Sequence, residues 1–597
     1  MALAACSGGG SGERLHSPPG EVPDVAAEGR WSSVIDWPLI PIHVALLPDG
    51  RVFSFGTDDG SAAGGAVPTG AFFYDIWNPS SREHLTLPNR TAVDTFCAAQ
   101  LVLPQVDAGV LVVGGDTFPR PEDDPTDPAV PEPFVGGNAD SVVLDYTLAD
   151  PELKNDESKM GFGRWYGSVT TMLNGETYVQ GGESRILASG TLFPEVRSVA
   201  GAYRVLPIDT SGLRYYYPRN FVAPDGRLFG YDTTGKMYYV DPFLGTITSA
   251  GNLPAANMGD DSTAAMFRPG RILNFGGDSD GAIVIDIRDG SPEVETTADL
   301  SSLRRLATAT ILPNGHVLAS GGSAVYNTLL GANLAAETWD PVTGQWTLLG
   351  ESAVPRLYHS SALLLPDATV LIAGGGAPGP LDNLNAEIYS PPYLFTAGGK
   401  VASRPVINTA PATLVVGRQF DLTYTGGVPA ARVVLVKTGA ETHGINFEQR
   451  FIELAFAAGN GTPKPLTVSM PSRASDVPPG YYLLFVLNAD GVPSRAKIVF
   501  INVAAETDPA QDPSVVQPAD RAGSVGTPTS LTVHGSDPNA GTTLRYAAAG
   551  LPAGLGINPT TGAIGGTPTA AGDYDVVVSV SDGTRTASAN FLWSIAP

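Results

Sequence analysis

Gly109-Val110-Leu111-Val112-Val113-Gly114-Gly115-Asp116 is a short apolar run closed by two glycines and an acid. Alone it reads as one strand ending where backbones crowd and side chains do not fit. The pattern returns along the chain. Before it stands Leu47-Pro48-Asp49-Gly50-Arg51-Val52-Phe53-Ser54-Phe55-Gly56. After it come Asn174-Gly175-Glu176-Thr177-Tyr178-Val179-Gln180-Gly181-Gly182 and Pro224-Asp225-Gly226-Arg227-Leu228-Phe229-Gly230. Then follow Pro269-Gly270-Arg271-Ile272-Leu273-Asn274-Phe275-Gly276-Gly277, Asn314-Gly315-His316-Val317-Leu318-Ala319-Ser320-Gly321-Gly322 and Thr369-Val370-Leu371-Ile372-Ala373-Gly374-Gly375.

The seven copies lie roughly 45–65 residues apart, near the kelch period of about 50, in which each repeat is one four-stranded blade. A single blade cannot bury both faces, whereas a closed ring can, and it removes exposed edges. The repeats therefore predict a seven-bladed β-propeller over 29–400. Short alternating strands over 401–505, such as Phe420-Asp421-Leu422-Thr423-Tyr424, predict a β-sandwich. A Pro/Asp/Gln-rich stretch, 506–518, reads as a linker. Residues 519–597 read as a second small sandwich, similar to the immunoglobulin-like modules of bacterial surface proteins. The fold class is all-β.

Composition agrees: Gly 70 and Pro 51 in 597 residues punctuate many short elements. A formal charge of −25 argues against nucleic acid or an anionic membrane surface as partner. The chain has two cysteines, Cys6 and Cys97, so disulfides do not hold the fold. Leu3-Ala4-Ala5-Cys6 followed by Ser7-Gly8-Gly9-Gly10 resembles the end of a bacterial lipoprotein signal, which makes residues 1–28 a signal remnant and tether. Lipidation of Cys6 would give a cell-surface protein with peripheral membrane attachment. No apolar run is long enough to span a bilayer as a helix. A monomer is expected, since a closed propeller needs no partner.

Four places carry candidate chemistry: Asp94-Thr95-Phe96-Cys97, Arg164-Trp165-Tyr166, Pro355-Arg356-Leu357-Tyr358-His359, and Glu441-Thr442-His443-Gly444. Singly, each has an ordinary reading: a small buried thiol, a packing aromatic, a surface histidine. Tyr358 and His359 are adjacent, so both reach one point only where the backbone departs from a strand.

Together, in this order, they resemble the galactose oxidase and glyoxal oxidase family of copper radical oxidases over roughly residues 30–505. The resemblance implies one copper ion held by Tyr166, Tyr358, His359 and His443. It also implies a thioether joining Cys97 to Tyr166, whose ring carries a tyrosyl radical. Tyr358 is then the general base, His443 lies on a loop reaching up the propeller axis, and Arg214 is a candidate substrate-binding residue. The implied reaction oxidises a small primary alcohol, aldehyde or carbohydrate with O2 and releases H2O2. Two imidazoles with phenolic oxygens suit Cu(II). Where galactose oxidase stacks a tryptophan on the cross-linked ring, this chain has Gly181-Gly182-Glu183, and Trp165 is the candidate cover. The competing readings are a non-catalytic cell-surface propeller binding glycans or proteins, and a copper protein without a working radical.

Overall fold

The computed structural model describes residues 24–57, 73–116, 137–184, 190–191, 193–254, 259–502, 513–516, 518–538, 541–582 and 586–597. Cys6, residues 117–136, and residues 506–512 and 517 of the expected linker lie outside these. Among the described residues, seven antiparallel sheets follow one another before residue 391, five of four strands, one of five, and the first of six because two later strands join it. The seven sequence repeats are the second strands of these sheets: Val52–Thr57, Val110–Val113, Thr177–Glu183, Leu228–Tyr231, Arg271–Gly276, Val317–Ser320 and Val370–Gly374.

The first strands of neighbouring sheets lie side by side, as Ala99–Val102 does with Trp165–Thr171 and Thr308–Ile311 with Ser360–Leu364. Ser360–Leu364 in turn touches Ile40–Leu46, the first strand of the first sheet, so the series closes on itself. The last sheet is completed from the front of the chain, with Arg30 opposite Ser390 and Trp31 opposite Tyr389. That pairing joins the two ends of the series and covers an edge.

Three sheets share a buried clip. Arg164, Arg304 and Arg356 each precede a first strand, and each pairs with a glutamate on the third strand of its own sheet: Glu195 at 2.9 Å, Glu337 at 2.8 Å and Glu387 at 3.2 Å. Each also donates to a glycine carbonyl at or just past the end of the second strand, at Gly181, Gly321 and Gly374 respectively. The clip explains the paired glycines. Gly182 has φ +86, and a Cβ there would sit 2.7 Å from the Cβ of Arg164.

Beyond residue 404, an eight-strand path folds over its own core of Leu422, Val433, Leu454, Val468, Tyr482 and Val499 among others. Phe451–Ala458 pairs first with Ala430–Lys437 and then with Lys464–Ser469, carrying the chain from one layer to the next. This unit also shares a core with the sheets, because Val434, Val436, Phe451 and Phe485 pack with Ala309, Leu363 and Leu371. It contributes the hairpin Ala440–Thr442 and Ile445–Asn446 to the first sheet, with Thr442 opposite His43. Gln449 accepts from the Ile311 amide, Glu448 accepts from Thr171, and Thr263 donates to the Gly444 carbonyl. Residues 440–450 are thus tied to the first strands of several sheets at once. The last unit packs Val576, Val578, Phe591 and Trp593 into a separate core.

Candidate metal centre

The site grows out of the repeat. Where the chain enters a first strand it turns sharply, and the turning residue holds a left-handed backbone: Cys97 (φ 54), Tyr166 (φ 64), Tyr217 (φ 36), Leu306 (φ 63) and His359 (φ 67). His443, at the tip of the hairpin from the sandwich, has φ 55. None of these is glycine, and such a conformation costs on the order of 1–3 kcal/mol at each non-glycine residue. Leu306 shows that the turn belongs to the repeat itself. At the other entries the same turn aims a thiol, phenols and an imidazole inward.

The left-handed His359 also resolves the Tyr358–His359 adjacency. The two rings stack at 3.8 Å instead of facing opposite ways. Cys97 is fully buried, and His359, Tyr358 and His443 are 1%, 8% and 8% exposed. Donor atoms of Cys97, His359 and His443 all lie within 4.8 Å of one another. Cys97 Sγ is 3.6 Å from His359 Nε2, and the hydroxyls of Tyr166 and Tyr358 are 3.0 Å apart. The structure therefore brings together all five residues expected from the sequence. The expected loop carrying His443 is the turn of a two-strand hairpin.

The imidazoles are prepared as ligands. His359 Nδ1–H donates to the Gly376 carbonyl at 2.7 Å, which leaves Nε2 with its lone pair facing the cluster. His443 Nδ1 lies 2.6 Å from Thr442 Oγ1, while its Nε2 is buried with no hydrogen-bond partner. Burial lowers the pKa of His359 to about 3, and burial with the neighbouring His359 and His43 lowers that of His443 well below its ordinary value. Both rings stay neutral. Burial, reinforced by Cys97 among the neighbouring groups, raises the phenols of Tyr166 and Tyr358 well above their ordinary range. A cation among these oxygens would reverse that preference. An orphaned buried nitrogen, a second freed nitrogen and two facing phenols form a donor set that fits copper.

Other residues close the site. His43 stacks on Phe55 at 4.2 Å, donates through Nδ1–H to Gln100 Oε1, and backs His443 with ring centroids 6.0 Å apart. The Tyr166 ring is covered by Trp165, at 4.3 Å and tilted 44°, and also by Tyr216, at 4.7 Å and tilted 34°. Sequence reading proposed Trp165 and missed Tyr216 and Tyr217. Their signal was the run Tyr215-Tyr216-Tyr217-Pro218, placed before the fourth repeat as Arg164-Trp165-Tyr166 is placed before the third. Glu183, standing where the tryptophan was sought, accepts from the Tyr215 hydroxyl at 3.1 Å. Arg214 is 48% exposed, 3.8 Å from Asp260 and set over the Tyr215 ring.

Residues 404–501 match the family model of a galactose oxidase-like early set domain, and residues 512–596 match that of an Ig domain. A galactose oxidase of Gibberella zeae is 28% identical over 509 residues, which is 79% of this chain and 70% of that protein. An aldehyde oxidase of Vitis pseudoreticulata is 27% identical over 462 residues, 69% of this chain and 83% of the relative. A fungal alcohol oxidase solved in complex with copper has the same fold, with TM-score 0.66 and 24% identity over 80% of this chain and all of its own.

Proposed function

We infer that this chain, related over most of its length to galactose oxidase and the aldehyde oxidases, is a copper radical oxidase. It would turn a primary alcohol into an aldehyde, or a hydrated aldehyde into an acid, while O2 becomes H2O2. The observation that carries the reading is the buried convergence of Cys97, Tyr166, Tyr358, His359 and His443, with His443 Nε2 left without a partner and His359 Nε2 facing the Cys97 sulfur. A glycan-binding surface has no use for an unpartnered nitrogen in a buried cluster.

His359 and His443 through Nε2, and Tyr166 and Tyr358 through their hydroxyl oxygens, would hold the ion. Copper, when bound, polarises the substrate oxygen and takes one of the two electrons removed. The second oxidising equivalent needs an organic group, and Cys97 packs against Tyr166 where a thioether would make that phenol easier to oxidise. Tyr358 is the residue to take the substrate's hydroxyl proton, at its own phenolic oxygen. Trp165 and Tyr216 keep water from the Tyr166 ring. Arg214, two residues before Tyr216, is proposed to orient the substrate. Arg214→Ala is then expected to raise KM with little change in kcat.

The deciding measurement is intact mass after copper loading in air. Wild type is expected to become lighter by two hydrogen atoms, with the change mapping to a peptide joining Cys97 to Tyr166. Cys97→Ala should show no such loss and should lower turnover by on the order of a thousandfold. A free Cys97 thiol in copper-replete, peroxide-forming protein would remove the radical mechanism.

A further inference from the structure

Tyr217 belongs neither to the proposed ligand set nor to the cross-link, yet it touches both cross-link partners and His443. It is fully buried and holds a positive φ of 36, so its placement is imposed by its surroundings. Its backbone N–H donates to the Tyr166 carbonyl at 2.8 Å. Its hydroxyl proton is shared between the carbonyls of Cys97, at 3.0 Å, and Ala98, at 3.1 Å. The Tyr166 amide in turn donates to the same Cys97 carbonyl at 3.1 Å. The Tyr217 ring stands edge-on to Tyr166 at 5.4 Å and lies 4.9 Å from that of His443. The Thr442 hydroxyl lies 2.6 Å from His443 Nδ1. Tyr217 therefore bonds to the backbone of both cross-link partners while its ring packs against His443.

Two strands from different sheets must present a sulfur and a ring carbon to each other. Both residues carry a left-handed backbone that nothing in their own side chains stabilises. Outside the ladder, the Cys97 carbonyl is held by the Tyr166 amide and the Tyr217 hydroxyl. Removing the hydroxyl leaves one of those two holds.

We infer that Tyr217 is a positioning residue that sets Cys97 against Tyr166 for thioether formation, and so governs how fast the protein completes its own cofactor. In that step the Cys97 S–H and a ring C–H of Tyr166 beside the phenol carbon are lost and one S–C bond forms. The two electrons and two protons pass to dioxygen, which becomes H2O2. The inference rests on the thioether reading given above.

The test follows intact mass against time for the full chain at saturating Cu(II) in air, with bound copper measured in parallel. Tyr217→Phe keeps the ring and removes the hydroxyl. It is expected to bind copper as wild type does but to lose the two hydrogens roughly tenfold more slowly, the rate equivalent of one ordinary hydrogen bond. Tyr217→4-aminophenylalanine restores a donor and is expected to restore the rate. A Tyr217→Phe rate equal to wild type overturns the inference. So does a slowing matched by an equal loss of bound copper, which marks a residue that merely supports the fold. If Tyr217→Phe is recovered unfolded, Tyr217→4-fluorophenylalanine fills the same space without donating and makes the same comparison. A wild type that never loses two hydrogens overturns the thioether reading itself, a result distinct from equal rates in both proteins.

Discussion

His359 and His443 are neutral because burial makes an imidazolium expensive, and their consequences for pH follow directly. Each has a folded pKa far below the unfolded value near 6.5. Between those values the unfolded chain binds protons that the folded chain refuses, so stability rises with pH across that window and is lost as pH falls through it. Copper-free protein is expected to lose on the order of 1.4 kcal/mol per pH unit for each such histidine below about pH 6. His43, with its pKa lowered by burial to about 3, adds a third. Melting temperatures of copper-free protein from pH 7.5 to 5 check this, and His359→Asn should flatten the slope. At neutral pH, His443→Ala is expected to fold while losing most of its copper, read by metal analysis of the purified protein. It removes the one proposed ligand supplied by the sandwich unit's hairpin.

The Arg–Glu clips separate stability from function among the elements. Replacing one partner strands a buried charge, and breaking such a pair costs roughly 3–5 kcal/mol. Arg304→Met and Arg356→Met should therefore lower the melting temperature to a similar degree. Arg356 leads into Tyr358 and His359, whereas Arg304 leads into Leu306 and none of the proposed ligands. Copper affinity should fall in Arg356→Met and hold in Arg304→Met, which competition with a chelator would show. The second strands were legible because turn, apolar run and paired glycines stand within ten residues of one another. The clips were not, because arginine, glycine and glutamate lie about thirty residues apart and each has an everyday role. The five chemical residues became legible only as an ordered set. Tyr216 and Tyr217 escaped notice because a tyrosine beside a strand is ordinarily core. His43 reads from sequence as one more polar residue in the alternation of Ile40-Pro41-Ile42-His43-Val44.

The whole molecule divides unevenly. The 404–501 unit shares apolar core with the sheets and supplies His443, so a chain ended at residue 403 is expected to bind no copper and to aggregate. The last unit keeps its own core, and a chain ended after Asn502 should retain wild-type turnover per bound copper, measured as peroxide release. The hairpin that reaches back from the sandwich also sets a clock. Cys97 leaves the ribosome about 350 residues before His443, an interval on the order of tens of seconds at 5–20 residues per second. Over its last part, once Tyr358 has been made, the thiol and both phenols exist without the imidazole that completes the cluster. A nascent chain can hold no finished copper pocket until the segment around residue 443 has docked. Late delivery of that one hairpin keeps the oxidising centre from being armed while the surrounding sheets are still assembling.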